Sequence, residues 1–65
     1  MEYLVITKYR DNYYNPPASC RKFTALSPAV RYAKEEAKWA SVDMVIVTTS
    51  GGTIEMTIPG DFYRL

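Results

Sequence analysis

Ser27-Pro28-Ala29-Val30-Arg31-Tyr32-Ala33-Lys34-Glu35-Glu36-Ala37-Lys38-Trp39-Ala40 is the stretch on which the fold turns. It reads as one helix over residues 27–40. Ser27 suits the N-cap, where its hydroxyl accepts a bond from an early helical N–H. Pro28 then takes the first helical position, where a missing N–H costs nothing. From Ala29 onward there is no glycine and no second proline, and alanine, lysine and glutamate favour the helix. At about 100° per residue, Leu26, Val30, Ala33, Ala37 and Ala40 share one side, with Ala29 close by. That side is apolar but shallow, so a sheet can approach closely and its strands must supply the bulk. Arg31, Lys34, Glu35 and Lys38 point away, and Arg31 and Glu35 have i, i+4 spacing. Tyr32 and Trp39, seven apart, fall together roughly opposite the alanines. Two readings of them stand. Either Trp39 folds back under the following loop while Tyr32 lies along the surface, or the two form an exposed aromatic pair that docks a partner, a role in which Trp and Tyr are enriched.

The flanking segments read as strands. Residues 2–10 are rich in β-branched and aromatic side chains, and Leu4 and Ile6 alternate with Tyr3 and Val5. Asn12, Asn15, Pro16 and Pro17 make residues 11–18 a loop with Tyr13 and Tyr14 at its middle. Residues 19–25 read as a second strand, with Phe23 as its main core candidate, paired antiparallel with the first. Residues 42–49 form a third. Ser50-Gly51-Gly52 supplies a turn, since paired glycines accept the positive φ of a two-residue type I′ hairpin. Residues 53–58 form a fourth strand with clear alternation. A turn centred on Gly51-Gly52 sets Val47 opposite Met56 and Val45 opposite Ile58. The layer under the helix is then Val45, Val47, Ile54, Met56 and Ile58. Met44 and Ile46 fall on the open face, beside Tyr3 and Val5. Pro59-Gly60 ends the strand, and Phe62 and Leu65 close the bottom of the core. The predicted fold is α+β, in the order β-β-α-β-β: a four-stranded antiparallel sheet with one helix packed across it. Strand order within the sheet is not readable.

With 65 residues, the chain allows one domain, residues 1–65, and one small core. Cys20 is the single cysteine, so an internal disulfide is impossible. A lone thiol and no signal peptide fit a reducing, cytoplasmic setting. Met44-Val45-Ile46-Val47, the longest apolar run, is too short to cross a bilayer, and no membrane partner is expected. A formal charge of +1 argues against a general polyanion binder and against an acidic DNA mimic.

Catalysis is not expected, and no cofactor or metal is implied. Histidine, the commonest general base and metal ligand at neutral pH, is absent. Glu35 and Glu36 diverge on a helix and cannot face each other as a carboxylate pair. Cys20 has no histidine to activate it. Ser50-Gly51-Gly52 joins two strands rather than a strand and a helix, so it is a turn and not a phosphate loop.

Binding surfaces are the better candidates. Lys8 and Arg10 end the first strand, and Arg21 and Lys22 begin the second. Hairpin pairing is expected to gather these four cations at one end, around Tyr9, Tyr13 and Tyr14. Such an end suits an acidic protein surface or single-stranded nucleic acid; edge-strand protection by Lys and Arg is the alternative. The open sheet face, read as Tyr3, Val5, Met44 and Ile46, suits a homodimer or another partner interface, unless the loop or the tail covers it.

Taken together, a first strand, a second ending Phe23-Thr24-Ala25-Leu26-Ser27, an alanine-rich helix through Ala33-Lys34 and Ala37, Met44-Val45-Ile46-Val47 and a Ser50-Gly51-Gly52 hairpin resemble small phage-encoded ββαββ inhibitors, nearest the type I-F anti-CRISPR proteins. A phage inhibitor of bacterial RNA polymerase is a looser match. The resemblance covers most of the chain at the level of pattern. It implies a non-enzymatic inhibitor in the host cytoplasm, one that occupies a surface a CRISPR surveillance complex uses for guide or target DNA. Its partner would be a host protein or ribonucleoprotein complex. In that family basic and polar side chains often compete for nucleic-acid contacts. No functional residue is carried over from the family. The candidate partner-binding residues, Lys8, Arg10, Tyr13, Tyr14, Arg21, Lys22, Tyr32 and Trp39, come from charge and ring clustering in this sequence. A small module that binds single-stranded nucleic acid and a dimeric structural protein are the alternatives.

Overall fold

A computed structural model describes residues 1–10 and 18–60. The elements are β1 (Tyr3–Tyr9), β2 (Ala18–Phe23), α1 (Leu26–Glu36), β3 (Val42–Thr49) and β4 (Ile54–Pro59), the expected β-β-α-β-β order. The four strands form one antiparallel sheet in the order β2-β1-β3-β4. Both β2 and β3 run antiparallel to β1, so they are parallel to each other with β1 between them. The helix is therefore the crossover that carries the chain from one flank of β1 to the other.

Alternation along β1 assigns the two faces. Val5 and Thr7 are buried under the helix, Val5 opposite Val47 and Thr7 opposite Val45. Ala29, Ala33 and Ala37 lie against this layer with Val42. The core is thus four valines and three alanines, with Tyr3, Tyr9, Phe23, Tyr32, Met56 and Ile58 packed around it. Each buried valine contributes about 1.5–3 kcal/mol relative to exposure. The alanines contribute less area but let the helix sit close.

Several local expectations are corrected. The helix starts at Leu26 after Ala25 as N-cap, with no side-chain cap bond. Ser27 and Pro28 lie inside the first turn, where N–H groups have no intrahelical partner and a proline is tolerated. The helix ends at Glu36 rather than Ala40. The Lys38 and Trp39 N–H groups bond back three residues, to the Glu35 and Glu36 carbonyls, and the Val42 N–H bonds to the Trp39 carbonyl. Propensity would extend the helix, but the chain must turn here to bring Val42 into the core opposite Tyr9.

Tyr3 and Val5 lie on the helix side and not the open face. The open face carries Leu4, Ile6, Met44 and Ile46, with Ile6 opposite Ile46 and Lys8 opposite Met44. Two bulges depart from simple alternation. Lys8 faces Met44 and Tyr9 faces Val42, so Asp43 is an extra residue, and Val42 turns inward where strict alternation would turn it out. In β4, Val47 faces Met56 and Val45 faces Ile58 as expected, but Thr48 faces Ile54, so Glu55 is extra. The turn holds three residues rather than two. The Gly52 N–H bonds to the Thr49 carbonyl and the Thr49 N–H to the Thr53 carbonyl. Gly52 alone takes positive φ, at 98°, the pattern of a type I turn closed by a left-handed residue. The Glu55 bulge absorbs the additional residue. Ile54 consequently shares a side with Thr48 and is 62% exposed, outside the core layer. Phe62 and Leu65 lie outside the described residues.

Gly60 follows β4, and its N–H bonds to the Asp43 carbonyl at 2.8 Å. A Cβ there would overlap the Val42 carbonyl oxygen and lie 3.2 Å from the Asp43 carbonyl oxygen. Both are backbone atoms and cannot swing aside. Gly60→Ala is expected to destabilise the fold by about 1–3 kcal/mol, read as a lower urea midpoint. Gly51→Ala, whose nearest contact would be the Thr49 Oγ1 at 3.8 Å, serves as the mild comparison.

Candidate functional site

The four cations do not meet. β2 pairs with β1 so that Lys8 faces Ala18, Arg21 faces Val5 and Lys22 faces Leu4. At about 3.4 Å per residue, Arg21 sits about 10 Å along the sheet from Lys8. Alternation also divides the pair: Arg21 lies on the helix side and Lys22 on the open face with Leu4. The sequence reading starts the second strand at residue 19 after a loop over residues 11–18, whereas β2 starts at Ala18, which pairs with Lys8, so Arg21 falls opposite Val5 rather than beside the end of β1.

Two of the cations are engaged within the fold. The Arg21 guanidinium lies 4.9 Å from the Tyr32 ring centre and 5.5 Å from that of Phe23, within cation–π range. The Phe23 and Tyr32 rings are 5.4 Å apart and tilted, so Tyr32 packs helix against β2. Arg10 closes the other end. Its Nε donates to the Ala40 carbonyl at 2.9 Å, and its Nη1 lies 3.7 Å from Asp43 Oδ1. Its backbone N–H donates to the Ser41 carbonyl at 2.7 Å. Arg10 thus ties the end of β1 to the segment joining α1 and β3. Tyr13 and Tyr14 fall outside the described residues.

Trp39 and Tyr32 do not form a pair. Once the helix stops at Glu36, their seven-residue spacing no longer places them on one side. Tyr32 is half-buried against β2, whereas Trp39 stays 63% exposed. Its backbone is held all the same, with its N–H bonded to Glu36 and its carbonyl accepting from Val42. The indole is therefore presented from a fixed backbone.

Beside it runs an open groove of about 360 Å³, lined by Tyr9, Glu36, Trp39, Ser41 and Val42. The Tyr9 hydroxyl shares a hydrogen bond of 2.9 Å with Ser19 Oγ, which anchors the ring against the edge strand. The groove brings together the last residue of β1, the last of α1 and the first of β3. The sequence names Tyr9 only as a ring of the basic end and Glu36 only in the rejected carboxylate pair, neither as a candidate binding residue. Tyr9 shares the parity of Val5 and Thr7, a signal that becomes usable only once the register is known.

The other chemical candidates stay unremarkable. Cys20 is exposed, opposite Ile6 on the open side of an edge strand. Among the described residues there is no group of three or more His, Cys, Asp or Glu placed to hold a metal. Among them, no helix is long and apolar enough to cross a membrane. A scan against protein-family models and searches of curated proteins and of solved structures found no match to this chain.

If Arg10 is a structural tie, Arg10→Met should destabilise by about 1.5–3 kcal/mol through loss of its charged hydrogen bond to Ala40. Asp43→Asn should lose well under that, because the carboxylate is 55% exposed and the ion pair long. Urea denaturation of the two variants tests this ordering; equal and negligible losses would contradict it.

Proposed function

We propose that this chain is a small non-enzymatic inhibitor that binds the protein surface of a host protein or ribonucleoprotein complex through the Trp39 groove. The observation that carries the reading is Trp39 itself: a large ring, 63% exposed, on a backbone pinned at both its N–H and its carbonyl. An exposed indole leaves apolar area in water that a partner can cover. A pre-positioned one binds with less loss of freedom. Tyr9 beside it supplies a second ring of the kind enriched at binding hot spots.

The target class comes from the resemblance. The β-β-α-β-β order agrees with the type I-F anti-CRISPR pattern, and the reading is that the chain blocks nucleic-acid binding by a CRISPR surveillance complex in the host cytoplasm. Docking in this reading rests on the aromatic groove rather than on basic side chains, because Arg10 and Arg21 are used within the fold. The dispersal of the four cations also removes the cluster on which the reading as a single-stranded nucleic-acid binder stood.

The test is a target-DNA binding assay with a purified type I-F surveillance complex. Adding the protein should abolish DNA binding in a dose-dependent way. Trp39→Ala, at an exposed position, should keep the circular dichroism spectrum and raise the half-inhibitory concentration at least about tenfold. DNA binding that survives a large molar excess of the protein would overturn the proposal.

A further inference from the structure

The groove has a chemical character beyond its shape. Among the described residues that line it, two are aromatic, Tyr9 and Trp39, and the one acidic side chain is Glu36. Glu36 is half-buried at the end of α1, so water screens its charge less than at an open surface. The nearby cations have other partners: Arg10 is tied to Ala40 and Asp43, and Lys38 lies 3.6 Å from Glu35. Among the described residues Glu36 is in no ion pair.

We infer that this groove seats a cationic side chain, a lysine or an arginine, of the protein partner. Aromatic faces attract a cation through their quadrupoles, and a carboxylate at the same opening adds direct charge complementarity. A neutral apolar side chain would gain only the ring contacts. An acidic one would meet Glu36 and the negative faces of both rings. The inference rests on the docking reading for its choice of a protein as partner, and it adds the charge of the group received.

Trp39 is the single tryptophan of the chain, so its fluorescence reports on this groove. The whole protein is titrated with three probes: N-acetyl-arginine amide, N-acetyl-leucine amide and N-acetyl-glutamate amide. The arginine probe should give a saturable change, with the neutral and anionic probes at least about fivefold weaker. Glu36→Gln, which keeps size and polarity, should weaken the arginine probe about 3–10-fold and leave the leucine probe unchanged. Equal response to the leucine probe, no saturable response to the arginine probe, or indifference to Glu36→Gln would each overturn the inference. The two readings fail separately. If inhibition of DNA binding depends on Trp39 but the titration is flat, the cation seat falls and docking stands. If the titration saturates while DNA binding is never inhibited, the inhibitor reading falls and the cation seat stands.

Discussion

Ala29, Ala33 and Ala37 meet the centre of the sheet with at most 1% of their surface left to solvent. Most else in the molecule depends on that close approach. A methyl group is the smallest side chain that still excludes water, so an alanine stripe brings the helix axis nearer the strands than leucines would. The facing layer is matched to it: Val5, Val45 and Val47 are compact, stiff at χ1 and fully buried. Dense packing of small groups tolerates little change in volume. The larger rings are pushed to the rim, where Tyr3, Phe23 and Tyr32 pack at the β2 side and Tyr9 at the far end. Trp39 goes further, out beyond the rim.

Much of this was legible in the chain. The spacing of the alanines names the buried helix face, although Leu26, read as part of it, stands 37% exposed, and residues 42–49 read as a strand with the observed bounds. The pairing of Val47 with Met56 follows in the sequence from a two-residue turn, and it holds in the structure because the Glu55 bulge offsets the third turn residue. What could not be read were the places where one residue is inserted. A bulge at Asp43 and another at Glu55 each reverse the alternation beyond them, and period-two reasoning has no term for this. Strict alternation puts Ile54 in the core for that reason, and the structure leaves it exposed. Tyr3 and Val5 read as open-face residues for a related one: both faces of residues 3–6 are apolar, so pattern alone does not choose between them. The sheet order, by contrast, was inaccessible, because it depends on which flank of β1 the crossover reaches.

The candidate site shows the same division. Trp39 was marked by its chemistry alone, and it is exposed as one of the two readings required. Its supposed companion was wrong, because the helix stops early to admit Val42 to the core. Tyr9 and Glu36 take that place, from two different elements, and their meeting with Trp39 is a product of tertiary structure. The basic residues were the converse case. They are close in sequence across a connection, but register separates them and the fold uses two of them internally. Arg10 as a tie and Arg21 as a ring-capping cation show how a charge that looks available in a sequence can be committed to stability.

The central claim, that the helix sits at methyl-group distance from the sheet, is tested most directly by enlarging the contact. Ala33 is the middle residue of the stripe and fully buried. Ala33→Leu should destabilise the protein by about 1–3 kcal/mol, seen as a lower urea midpoint at unchanged slope. A midpoint equal to or above that of the unsubstituted chain would show spare volume under the helix and contradict the account.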